Sequence, residues 1–157
     1  METIREKEDK LFEEWEKDPS KLENKNLLFC KDGLMFNGEL EYVDDEKIQR
    51  RKSGDENTKW QKSKKRILFL VKDTNGNPGD DYRTWNREYI IKNRFFKTIA
   101  FWFYGLLEIK DNGDYPSFEN ANKLDTLTKT FCDNPIAIVN CKKDAGGPTL
   151  SNEVLLN

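Results

Sequence analysis

Two polar residues of types that can do chemistry stand at the ends of apolar runs. The run at 67–71, ILFLV, passes through Lys72 into Asp73, Thr74 and Asn75, with Gly76, Pro78 and Gly79 close behind. The run at 135–139, PIAIV, closes on Asn140 and then opens into Cys141, Lys142, Lys143 and the pair Gly146-Gly147. In an open α/β sheet, the crevice beyond the carboxyl ends of the strands is where ligands bind. A carboxylate at the first exposed position after a strand therefore stands where chemistry would be done. The plainer use of such an aspartate is as a loop cap, with Thr74 and Asn75 forming the turn. Asn140 is the more telling residue, because a polar side chain that ends a buried strand needs a specific partner.

Other chemistry is excluded by what the chain lacks. It has no histidine, which removes imidazole-dependent triads, histidine zinc sites and the commonest general acid–base group. The three cysteines, Cys30, Cys132 and Cys141, are widely spaced and form no C-x-x-C pair. That disfavours a structural zinc or a disulfide framework and fits a reducing, cytoplasmic setting. Cys141 has no histidine to activate it as a nucleophile and reads as a small buried residue. No metal and no cofactor are expected. With net charge −2, binding a polyanion requires a local basic patch. The longest near-apolar run, 99–107, is about half the length of a membrane span, so a soluble protein is expected.

The elements that must position Asp73 and Asn140 can be read from the apolar pattern. Residues 2–17 predict a helix with Ile4, Leu11, Phe12 and Trp15 on one side. The stretch 27–36, LLFCKDGLMF, predicts a hairpin turning at Asp32-Gly33. Residues 44–65 are polar, mixed in charge and weakly periodic, which predicts a solvated connector. Its alternative use is to meet phosphates through Arg50, Arg51, Lys52, Lys59, Lys62, Lys64 and Lys65. Residues 66–72 and 135–141 predict buried strands from their continuous apolar character. Between them, 81–110 predicts one long helix, capped by Asp80 or Asp81, whose stripe of Trp85, Tyr89, Phe96, Ile99, Phe103 and Leu106 packs on the sheet. A shorter helix is predicted over 117–132, started by Ser117 and stopped by Asn134-Pro135.

Strand, helices, strand implies two parallel strands joined by a crossover, with their polar ends side by side. The expected fold is α/β: a Rossmann-like three-layer arrangement with a parallel, incomplete sheet, preceded by an N-terminal helix and hairpin. All 157 residues form one domain in this reading. Residues 1–27 are the helix and linker, 28–65 the hairpin and connector, and 66–157 the first half of the sheet.

The combination of ILFLVKDTNG, NRFFKTIAFWFYGLLE and NPIAIVNCKKDAGG resembles the uracil-DNA glycosylase-like superfamily, in particular its divergent bacterial branch. The resemblance covers about residues 28–157 and only the first half of such a fold. It implies that Asp73 takes the position of the acid that activates the attacking water, although the family's flanking glycine and proline are absent. It further implies that Asn140, with Asn75, contacts the flipped base. Lys142, Lys143 and the Gly146-Gly147 amides become candidates for the flanking phosphates. The family's later histidine motif has no counterpart here.

The chemistry suits those positions. Breaking an N-glycosidic bond builds positive charge on the sugar and negative charge on the leaving base, and a carboxylate near the sugar stabilises the first. An asparagine amide offers an acceptor and a donor that match N3–H and O4 of uracil. The implied function is hydrolysis of a base turned out of DNA. Two alternatives stand beside it: a non-catalytic nucleic-acid or nucleotide-binding module, and an incomplete domain that needs further chain or a partner.

Overall fold

The computed structural model describes residues 2–18, 29–43, 49–72 and 77–143. Helix α1 (Ile4–Glu16) starts at Thr3, whose hydroxyl accepts the Glu6 amide while the Glu6 carboxylate accepts the Thr3 amide. This reciprocal cap satisfies two amides that the helix itself leaves unpaired. The helix buries Phe12 against Phe29, with ring centroids 5.6 Å apart.

Among the described residues, the sheet that positions the site has three strands. Strand β1 (Gly33–Leu34) and, much later, β4 (Leu68–Val71) flank a central β5 (Ala137–Asn140). The β4–β5 pair is parallel, with Val71 beside Asn140, as the two apolar runs predict. The β1–β5 pair is antiparallel, with Gly33 beside Ile138, so the sheet is mixed.

No hairpin forms at Asp32-Gly33. Lys31 bridges to Asp81, and the Met35 amide donates to the Ile136 carbonyl, so the segment runs extended along its neighbours. A turn is pre-empted because the Asp32 side chain is held by residues at the end of β5. Gly33 still requires glycine: its φ is +125°, and an added Cβ would lie 2.3 Å from the Glu8 carboxylate.

The polar connector is more ordered than its composition predicts. A second small sheet pairs β2 (Leu40–Tyr42) antiparallel with β3 (Gln49–Arg51), and α2 (Glu56–Lys62) follows. The buried Glu56 carboxylate organises the bend before α2 by accepting the Gly54 amide and the Ser53 hydroxyl. Several of its basic residues are spent internally. Arg50 pairs with Asp80, Arg51 with Glu88, Lys52 with Glu41 and Lys59 with Asp55.

The long helix predicted over 81–110 is three pieces: a 3₁₀ turn at Tyr82–Thr84, α3 (Arg87–Ile90) and α4 (Arg94–Glu108). The breaks fall at Asn86 and Asn93, whose side chains accept the Glu88 and Phe95 amides and so restart the helix each time. Asp81 caps the 3₁₀ turn in the same way. The predicted 117–132 helix is likewise two, α5 (Phe118–Ala121), capped by Ser117, and α6 (Leu124–Asp133).

The core lies between one face of the sheet and α4 and α6. Ile99, Ala100 and Phe103 meet Leu127, Phe131, Ile136 and Ile138 there. Arg87 lies fully buried beside it and donates to the carbonyls of Met35, Phe131 and Asn134. Burial lowers its pKa to about 10. The outer face of β4 departs from the buried strand predicted: Leu68 and Leu70 are 54% and 66% exposed. They alternate with Phe69 and Val71, which pack on the core, because among the described residues β4 is an edge strand covered on one face. No helix among the described residues is long and apolar enough to cross a membrane.

Candidate functional site

The antiparallel course of β1 brings its approach residue, Asp32, beside the carboxyl end of β5. Asp32 is 1% exposed. One of its oxygens accepts the Asn140 backbone amide at 2.8 Å and the Asn140 side-chain Nδ2 at 2.9 Å. The other accepts the Lys143 ammonium at 2.5 Å. The Asn140 amide is thereby oriented, with one N–H and its carbonyl oxygen remaining for a ligand. Lys143 also lies over the rings of Phe12 and Trp15, at 5.8 and 5.6 Å, so α1 covers this charge cluster.

Asn140 lines a crevice of about 620 Å³ at the carboxyl end of the β4–β5 pair. Val71 and Ile138 contribute from the sheet, and Trp85, Tyr89, Phe95 and Phe96 form aromatic walls. Trp85 is held by a hydrogen bond from its indole N–H to Asp80, at 3.2 Å, and Asp80 is in turn paired with Arg50. Stacked edge contacts run outward from Tyr82 to Trp85 (4.3 Å), Phe96 (5.8 Å) and Phe95 (5.1 Å). Flat aromatic walls with one fixed amide favour a planar heterocycle that carries a donor and an acceptor on one edge.

A carboxylate of unusual acidity lies on the α1 side. Glu8 accepts the Leu34 amide at 2.9 Å and faces Arg83 at 3.4 Å. Burial raises its pKa to about 7, and the nearby Asp32 charge adds to the rise. Arg83 pulls the other way, but it is shared with Asp9 at 2.7 Å and Asp81 at 2.8 Å.

Of the residues singled out in the sequence, Asn140 lies in the crevice and Lys143 in the buried cluster behind it. The Lys143 ammonium is paired with Asp32 and buried. Lys142 continues the parallel pairing, its amide donating to the Lys72 carbonyl at 3.2 Å. Cys141 is exposed rather than buried, because it is the first residue past the strand. Asp73, Asn75, Gly146 and Gly147 lie outside the described residues. Among the described residues no acidic or cysteine cluster could hold a metal ion.

Asp32 is the site residue that the sequence reading missed. A carboxylate inside LLFCKDGLMF was a signal that it needed a buried partner, but its neighbour Gly33 made a turn the simpler reading. No known family model, curated protein or solved structure matches this chain.

Proposed function

We propose that the crevice receives a pyrimidine base turned out of a DNA strand, and that the chain is a uracil-DNA glycosylase-like hydrolase. The observation that carries this reading is the Asn140 amide, oriented by Asp32 and lining an aromatic crevice at the end of two parallel strands. The remaining N–H and carbonyl of that amide complement O4 and N3–H of uracil, and oppose the reversed edge of cytosine. In this reading β4 and β5 begin a Rossmann-like parallel sheet.

Asp73 supplies the chemistry in this proposal. It follows Val71, which lines the crevice, by two residues in the sequence. Its carboxylate accepts a proton from the attacking water. The water oxygen bonds to the sugar C1′, and the glycosidic electron pair leaves with the base. With no imidazole in the chain and Lys143 engaged by Asp32, neither of these donors serves the departing anion. Absence of one such donor slows a reaction by roughly 10²–10³-fold, so slow turnover is expected. The same observation favours the second reading, a module that holds the base without cleaving it.

Incubation with uracil-containing single- and double-stranded oligonucleotides, scored for abasic sites, tests both. Slow release of uracil that disappears in Asp73→Asn supports the hydrolase. Quenching of Trp85 fluorescence by deoxyuridine without any release supports the binding module. The absence of both release and quenching would refute the base-binding crevice.

A further inference from the structure

The lip of the crevice is formed by Tyr89, Lys92 and Phe95, which line it, and continues onto the exposed start of α4, where Arg94 and Lys97 stand outside the lining. Residues 89–98 include Lys92, Arg94 and Lys97 and no acid, in a chain of net charge −2. All three are exposed, and none forms a salt bridge among the described residues. Lys92 sits 5.8 Å from the centre of the Tyr89 ring. Tyr89 and Phe95 are 71% and 50% exposed, although the helical stripe predicts burial for Tyr89.

Helix stability does not account for this arrangement. Arg94 and Lys97 occupy the first turn of α4, where cations oppose the helix dipole and where no acid is present to offset them. Nor does the core, which takes Ile99 and Phe103 from the same helix and leaves Phe95 half-exposed. Cations without an acid partner among the described residues, interleaved with exposed rings, are what a single strand of nucleic acid demands: charge for the backbone and flat apolar faces for unstacked bases.

We infer that this lip is a track for a single-stranded polynucleotide, leading to the crevice. Tyr89 and Phe95 stack the bases that neighbour the one held by Asn140, and Lys92, Arg94 and Lys97 contact their phosphates. The inference rests on the base-binding reading of the crevice and adds the strand that delivers the base. The aromatic contacts from Phe95 through Phe96 to Trp85 give the strand a continuous apolar path inward. A duplex fits the lip poorly, since its paired bases cannot reach Tyr89 and Phe95.

Anisotropy titration of labelled twelve-nucleotide probes tests this, with DNA and RNA single strands, duplex DNA and heparin compared over a range of salt. The single strands are expected to bind more tightly than the duplex. In Lys92→Gln/Arg94→Gln/Lys97→Gln, the slope of log affinity against log salt should fall by about 2, from roughly 0.7 for each phosphate contact. In Tyr89→Ala/Phe95→Ala, single-strand affinity should drop at least about tenfold with the slope retained. Circular dichroism establishes that each variant is folded. An unchanged slope in the first variant, unchanged affinity in the second, or tighter binding of duplex or heparin would overturn the track. Lip-dependent strand binding by a wild-type protein whose Trp85 fails to respond to deoxyuridine would count against the crevice reading alone.

Discussion

At the residue scale, Asp32 holds the site together. Its two oxygens serve three donors, and a neutral replacement would leave Lys143 charged in a buried setting. Removing one partner of such a pair costs about 3–5 kcal/mol, so Asp32→Asn should lower the urea midpoint sharply. Adding Lys143→Met should recover much of that loss, which a double-mutant cycle measures. Glu8 makes a separate prediction, in pH. Its pKa is raised from 4.5 to about 7, so between these values the folded protein holds a proton that the unfolded chain has released. Stability contributed by this group is full below pH 4.5 and is lost as pH rises toward 7, by on the order of 3 kcal/mol. Glu8→Gln keeps an acceptor for the Leu34 amide and should flatten that slope, read as urea stability at pH 5 and pH 8. Asn140 was legible in the sequence because a polar end to a buried strand demands a partner. The partner itself was not, because an Asp-Gly pair forms turns so readily that its long-range use is hidden.

At the scale of elements, the strands were legible and the helix boundaries were not. Continuous apolar runs located β4 and β5 and implied their parallel pairing, which then followed from the helices between them. The helical stripe through 81–110 keeps its period across Asn86 and Asn93, so periodicity alone gives no sign of a break. The break depends on which side chain wins the next amides, and asparagine does so when the chain also has to bend around the crevice. Asn93→Ala should therefore cost about 1 kcal/mol and lower Tm by a few degrees, measurable by calorimetry. Arg87 belongs to this scale as well, since it joins α3 to the end of α6 and to Met35. Replacing it with leucine leaves several carbonyls unpaired, each charged hydrogen bond being worth about 1.5–3 kcal/mol. Arg87→Leu should lower the urea midpoint as much as any core truncation.

At the scale of the whole molecule, charge placement distinguishes surfaces that composition cannot. The chain is rich in both signs, and Arg50, Arg51, Lys52 and Lys59 of the polar connector are paired with acids, while Lys92, Arg94 and Lys97 form no salt bridge among the described residues. Helix α1 is part of the same arrangement: Glu8 and Asp9 meet Arg83, and Phe12 and Trp15 cover Lys143. Deleting residues 1–18 should thus destabilise the distant β5 end as well as the terminus. Hydrogen exchange at the Asn140 amide, which donates to Asp32, provides the measurement.

The outward side of β4 has a consequence for how concentrated solutions of this protein behave. Leu68 and Leu70 face water, and among the described residues no strand pairs with the far edge of β4. An apolar strand with free amides and carbonyls on one side is a template for recruiting another chain. Slow, seedable growth of fibrils is the expected long-term fate of the stored protein, with a lag that shortens as concentration rises. Leu70→Lys should lengthen that lag in a thioflavin assay while shifting Tm little, since the leucine side chain is already largely in solvent.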